Sequence, residues 1–262
     1  MRHLLFAGSV LAGGCKVVDA PDALEELVVF GFVHYDEDIE YLEAVGEKLF
    51  PGVEGLDAEL EEGYYVDLLT ADDLAQAGVE DPETEGIIGA LGRSVYTNDL
   101  IPVVCGISWL DKSTAQAYEN YSSYEAQDDG NRDCFLAGEC ERYDQTASQV
   151  IEIPILGEAT QTFQRSFRWV YPDDGEPWIA SRLLSPQPIE FTTEILAVDQ
   201  QYSFFALYPD GGVTSRVEAF WVEARALGFE MPETFAVANA VTEMQTSADR
   251  VDAFLDGGEG CL

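Results

Sequence analysis

Two groups of side chains in this 262-residue chain are of types that do chemistry or grip ligands, the cysteines and the arginines, and both are scarce enough to place one by one. Histidine is scarcer still: of His3 and His34, the first stands in an apolar leader, so any Ser-His-Asp or Cys-His device would have to be built on His34 alone. Its surroundings, His34-Tyr35-Asp36-Glu37-Asp38, read as the end of one helix and the start of the next. Sites that need several histidines around zinc are excluded, and no CxxC pair offers a thiolate alternative. The carboxylate pair Asp173-Asp174 is adjacent to Gly175 and reads as a turn, because that spacing does not define two positions flanking a scissile bond. Gly86 to Ser94 lacks both the Walker spacing with its lysine and the GxGxxG spacing, so it reads as an extended segment running close to other backbone. Neither an enzyme nor a cofactor or metal site is therefore expected, and the catalytic set is empty.

The arginines point elsewhere. Arg165, Arg168, Arg182, Arg216 and Arg225 fall within one strand-rich stretch. Arg165 is in step with Phe167 and Trp169, and Arg182 with Trp178 and Leu184, so each guanidinium shares a strand face with large apolar groups and must find a partner there. Pairing across strands with Glu190, Glu194, Glu218 or Glu223 is the default expectation. The functional alternative is that Arg165 or Arg182, beside Trp169, grips the acidic head of a ligand.

The elements that would position these groups follow from periodicity. From Gln149 to Gly228 apolar residues alternate with polar ones: Phe163, Phe167, Trp169 and Tyr171; Ile189, Phe191 and Ile195; Tyr202, Phe204, Ala206 and Tyr208; Val213, Val217, Ala219 and Trp221. Asp173-Asp174-Gly175 and Pro209-Asp210-Gly211-Gly212 supply hairpin turns, so the stretch reads as an antiparallel meander. After Pro232, Val237, Val241, Met244, Ala248, Val251 and Leu255 recur at steps of four and three, the stripe of a long helix closed by Asp256-Gly257-Gly258. Such a stripe should lie across one face of the sheet. Upstream, Pro21 to Phe50 has helical spacing, with Asp22 and Asp36 as caps and Pro51-Gly52 as the stop. A strand is expected over Tyr64 to Leu69, then a short helix capped by Thr70. Tyr118, Tyr121 and Tyr124 are spaced for one face of a helix, and Asp128-Asp129-Gly130-Asn131 for a turn. The fold class is α+β: an antiparallel meander with a long C-terminal helix and N-terminal helices packed against it. Residues 22–262 form one domain, with 22–148 helical and irregular and 149–262 the meander plus helix.

Charge bounds the partners. Fifty acidic side chains against 13 basic ones give a formal net charge of -37, while 47% hydrophobic and 11% aromatic content are those of a packed globule. A surface so negative repels nucleic-acid phosphates and anionic lipid headgroups. Because the acids are spread along the chain, the charge is read as a solubility device rather than a docking face.

Met1-Arg2-His3, the apolar run Leu4 to Gly14 and then Cys15 have the form of a secretory leader. Leu11-Ala12-Gly13-Gly14-Cys15 resembles the lipobox of bacterial lipoproteins, with Ala12 where a larger apolar residue is usual. That resemblance implies removal of residues 1–14, lipidation of Cys15, a tether over 15–21 and a membrane partner held by the acyl chains. Lys16 after the cysteine implies the outer membrane, by analogy with enterobacterial sorting. Export leaves four further cysteines, Cys105, Cys134, Cys140 and Cys261, as two disulfides with three possible pairings; Cys134 with Cys140 and Cys105 with Cys261 is the preferred set. The element order over about 149–256 is similar in outline to the START-like helix-grip fold, which implies a cavity for apolar ligands between helix and sheet. The leader and the RSFRWVY strand before a DG turn resemble secreted lipoproteins of proteobacteria, a likeness that implies no activity. The expected function is thus a lipid-anchored envelope protein that binds an apolar small molecule between sheet and helix, or else an envelope protein that works by contact with another protein.

Overall fold

The computed structural model describes residues 18–57, 60, 63–110, 121–153, 157–193, 195–226, 229–230 and 232–257. Cys15 and Cys261, the leader and Tyr118 lie outside them. The described chain runs α1 (Leu24–Val33), α2 (Ile39–Val53), α3 (Ala71–Gln76), β1 (Ile87–Tyr96), α4 (Leu100–Ile107), β2 (Tyr121–Asp128), α5 (Arg132–Leu136), β3 (Arg142–Ile153), β4 (Gly157–Val170), β5 (Trp178–Ser185), β6 (Glu190–Phe191), β7 (Leu196–Asp210), β8 (Val213–Ala226), β9 (Phe229–Glu230) and α6 (Glu233–Asp256). All nine strands belong to one antiparallel sheet in the order β1-β8-β7-β5-β4-β3-β2, with β6 on β4 and β9 on β8. The α+β class expected from periodicity is therefore the observed one.

Alternation along the strands divides the core in two. On one face Trp178, Ala180, Tyr202, Phe204, Ala206, Val217, Ala219 and Trp221 meet Leu27, Phe32, Leu42, Val45 and Leu49 of α1 and α2. Backbone approach is close enough to require glycine: a Cβ on Gly31 would stand 2.6 Å from Phe204 Cζ, and one on Gly46 2.8 Å from Trp178 Nε1. On the other face α4, α5 and the C-terminal half of α6 cover Tyr143, Phe167, Trp169, Ile179, Phe205 and Leu207, while Val237, Val241 and Met244 of α6 cover Ala90 and Phe220. The apolar stripe of α6 thus lies on the sheet as its spacing predicted.

Local chemistry explains most boundaries. Thr70 caps α3 in a reciprocal box, its hydroxyl accepting from Asp73 N–H while the Asp73 carboxylate takes the Thr70 N–H at 2.8 Å. Gly211 and Gly212 hold positive φ at the β7–β8 hairpin. Cys134 and Cys140 are bonded to one another and close the α5 loop; Cys105 is buried in α4.

Several local expectations give way to tertiary contacts. Pro51 does not stop α2, which continues to Val53 with the proline in its last turn. Asp22 and Asp36 cap nothing, because Asp22 pairs with Lys48 at 2.6 Å and Asp36 with two arginines. Tyr64 to Leu69 is not a strand: only Tyr64 pairs, with Leu91. Tyr121 and Tyr124 stand on β2, not on a helix, separated by an irregularity in register. Of the Ile189–Ile195 run only Glu190–Phe191 pairs as strand β6, with a lone bridge at Ile189.

Candidate functional site

The three candidate ligand contacts do not converge. Ser166 is opposite Arg182 and Arg165 opposite Leu183 in the β4–β5 register, so Arg182 is on the α1–α2 face, and Arg165 and Trp169 are on the α4–α6 face. Arg182 is nearly sealed and spent: it pairs with Asp36, donates to Phe32 O at 3.3 Å, and lies 4.8 Å from the centre of the Tyr35 ring. Arg142 holds the other oxygen of Asp36 at 2.6 Å, and Arg168 donates to Tyr35 O and Glu37 O and pairs with Glu141. Burial pushes the Asp36 carboxyl up, but the two guanidiniums outweigh it and hold Asp36 below its ordinary range. Three arginines therefore clasp the α1–α2 turn to β3, β4 and β5.

Arg165 performs a similar task on the opposite face. Its Nη1 donates to Ile107 O at 3.4 Å, and Arg132 of α5 donates to Ser108 O at 2.7 Å and Cys105 O at 3.3 Å. Two cations thus sit at the carboxyl end of α4, where the helix dipole favours positive charge. Trp169 donates from Nε1 to Phe135 O at 2.8 Å, which fixes α5 over the sheet. These are contacts that hold the covering helices. Glu194 lies outside the described residues; among the other acids expected as cross-strand partners, Glu218 pairs with Arg216 and no pair joins Glu190 or Glu223 to the five arginines, while Arg225 takes Asp199 at 2.7 Å.

The Arg216–Glu218 pair marks the unusual region. Both side chains point to the α4–α6 face from β8, one-tenth exposed, and form an ion pair. The Arg216 guanidinium lies 4.4 Å from the centre of the Phe205 ring and donates to Tyr96 Oη at 3.3 Å. Beside it in register is Ser94 of β1; Phe205 is opposite both Glu218 and Ser181 of β5. The hydroxyls of Ser94 and Ser181 are buried with no hydrogen-bond partner, as is Arg165 Nε. Further along the same face Gln149 donates to Gln161, and Gln161 to Ser185 and Gln201, a polar belt across four strands at 2.8, 3.3 and 3.1 Å. Sequence reasoning missed Ser94, Ser181 and Tyr96. The available signal was opposite charges two residues apart, Arg216 and Glu218, at positions in step with Phe220.

Little empty space is left where α6 crosses β1. A Cβ on Gly92 would stand 2.2 Å from Met244 Cε, so helix and strand are in direct contact. Two surface clefts lie on the α1–α3 side instead: one of about 320 Å³ bounded by Val33, Asp36, Glu37, Asp38 and Gln76, and one of about 450 Å³ bounded by Phe50, Arg93, Glu176, Tyr208 and Asp210 among others. Among the described residues no cluster of three potential metal ligands occurs, and no helix is long and apolar enough to cross a membrane.

No protein-family model and no curated protein matches the chain. Solved structures similar in outline include a START superfamily protein from Mycobacterium smegmatis, 12% identical, covering 65% of this chain and 97% of that one with a TM-score of 0.38. A STAR-related lipid transfer protein fragment from Xanthomonas axonopodis is 13% identical, covering 67% and 96% with a TM-score of 0.43. A di-domain ARO/CYC protein is 12% identical, covering 70% and 55% with a TM-score of 0.42. At these scores the functional reading rests on the geometry of this chain.

Proposed function

We propose that the protein is a non-enzymatic, lipid-anchored component of the cell envelope, placed at the outer membrane, that holds a small ligand on the α4–α6 face of its sheet. The ligand has an apolar body and one hydroxyl or carbonyl handle. The observation that carries this reading is the pair of orphaned hydroxyls, Ser94 and Ser181, flanking the Arg216–Glu218 pair. A buried hydroxyl without a partner is costly, and a layer meant only to pack would use apolar residues there. Phe205, Leu207 and Val251 would meet the apolar body, while the two serines and the ion pair would share donors and acceptors with the handle. The anchor is supported by the lipobox-like Leu11-Ala12-Gly13-Gly14-Cys15.

Native mass spectrometry of the full mature protein, followed by solvent extraction, tests the binding. The expected result is an extractable adduct on the wild type that is lost from the Arg216→Met, Glu218→Leu double variant. A bare mass for the wild type purified from its own envelope overturns it. The direct seating of Met244 on Gly92 favours the second reading, a filled scaffold that acts through protein contacts alone; a bare mass with a stably co-purifying envelope protein is the outcome it requires.

A further inference from the structure

Five large apolar side chains are exposed among the described residues, and three of them, Val95, Tyr171 and Ile195, stand singly, as is ordinary on a protein surface. The other two are neighbours on one segment: Tyr65 is 70% and Leu68 50% exposed, alternating with Val66 and Leu69, which are buried in the α1–α2 core. The segment has no strand partner beyond Tyr64, yet it is well fixed. Asp67 N–H donates to Glu25 O at 3.4 Å, Trp221 Nε1 donates to Asp67 O at 2.9 Å, and Tyr65 Oη donates to its neighbour Asp67 at 3.1 Å. Two apolar side chains are therefore presented outward on a rigid support beside the first turn of α1.

That turn is where the tether arrives. Ala20 is buried and its carbonyl accepts from Lys48, which also holds Asp22 at 2.6 Å, so the chain is fastened to the body before α1 begins. Only four residues lie between Cys15 and Ala20, five Cα steps with a reach of at most about 18 Å when fully extended. An acyl group on Cys15 must then keep this end of the molecule close to the bilayer, whichever way the tether runs. The far end of α1, ten residues on, lies about 15 Å along the helix from that turn. Tyrosine and leucine at such a boundary partition into the headgroup layer, the ring with its hydroxyl toward water. Asp67, Glu25 and Glu233 near the Tyr65 ring set the lipid preference: a zwitterionic surface is accepted and an anionic one repelled.

We infer that Tyr65 and Leu68 form a membrane-resting face, by which the anchored protein docks one fixed side of its body against a zwitterionic lipid surface. This rests on the anchoring reading above, and the test separates the two. Acylated full-length mature protein is mixed with phosphatidylcholine vesicles whose acyl chains carry bromine, and tryptophan emission is read for Leu68→Trp, for Tyr65→Trp as a second reporter, and for Tyr171→Trp, whose ring lies by Trp169 and Gly138 after α5. The expected outcome is co-flotation of all three, with the added emission at positions 68 and 65 blue-shifted and quenched at least twofold relative to position 171. Co-flotation with no quenching at 68 and 65, or with equal quenching at all three, overturns the docked face and leaves the anchor standing. A mature N-terminus without an acylated Cys15, together with no flotation, overturns the anchor and the docked face with it.

Discussion

The two faces of the sheet are made by the same strands and differ in what their alternate residues demand. Toward α1 and α2, β5, β7 and β8 present Trp178, Tyr202, Phe204 and Trp221, and the Tyr202 hydroxyl donates to Gln200 at 2.7 Å. Toward α4 and α6 the intervening positions carry Ser181, Phe205, Arg216 and Glu218, with two serine hydroxyls unsatisfied. The first face also buries Arg182, paired with Asp36, and the unpartnered Tyr35 hydroxyl, but its rings and aliphatic side chains pack directly on α1 and α2, and such burial is non-directional, so it reads as a core built for stability. The second holds polar groups that burial alone does not reward, and such positions are where a fold departs from its own packing rules for the sake of a task.

Adjacent residues on β7 and β8 give the sharpest way to break this contrast. Phe204→Ala should cost about 3–5 kcal/mol in chemical denaturation, because the ring is fully buried against Gly31 and the surrounding side chains cannot collapse into the space. A loss below about 1 kcal/mol would mean that the α1–α2 face is loosely packed and that the contrast is false. Glu218→Leu should cost a similar amount, about 3–5 kcal/mol, by taking the Glu218 carboxylate away from the buried Arg216 guanidinium, whereas adding Arg216→Met should recover most of it. If the double variant stays as unstable as the single one, the pair is part of the scaffold rather than of a site.

A smaller effect is expected at the clasp. Asp36→Asn should cost about 1–3 kcal/mol, because Arg142 and Arg182 would both lose their anion and one of them would face an amide NH2 in place of an acceptor oxygen. The pH dependence has a definite sign: a carboxyl held below its unfolded value of 3.8 contributes fully above that pH, and its contribution fades as pH falls through the depressed folded value. Wild-type stability should thus drop on acidification below about pH 4 more steeply than that of Asp36→Asn. Parallel acid curves would remove the clasp from the account. On the alkaline side, burial raises the Tyr202 phenol from 10.0 to about 12, so its contribution is complete below pH 10 and is lost as pH rises through that interval; Tyr202→Phe should flatten this loss in alkaline denaturation. Thr70→Ala, which opens the α3 box at the margin of the dry core, should cost about 1 kcal/mol and leave any ligand adduct intact.

What the sequence made legible was what short-range chemistry decides. Tyr202, Phe204, Ala206 and Tyr208 fall on one side because a strand has period two, Thr70 caps because Asp73 stands three residues on, and Val241, Met244, Ala248 and Val251 make a stripe because a helix has period 3.6. Asp36 failed as a cap because two arginines more than a hundred residues away offered its carboxylate more than a backbone N–H could. Tyr121 and Tyr124 have helical spacing, yet an irregularity in β2 admits the same three-residue step between two residues of a strand. The polar centre was harder to see, since Ser94 and Ser181 become exceptional only once register sets them beside Arg216 and Phe205.

The bridge between Tyr64 and Leu91 has a further consequence. Tyr64 N–H donates to Leu91 O at 2.7 Å and Leu91 N–H to Tyr64 O at 2.8 Å, so the middle of β1, an outermost strand, has both main-chain groups of Leu91 already engaged by the chain itself. An incoming strand from another molecule would have to strip that contact away before it could extend the sheet, and α6 crowds the same strand from above. The bridge therefore guards against edge-to-edge aggregation at a border strand that carries Gly89 and Gly92, either side of the guarded residue.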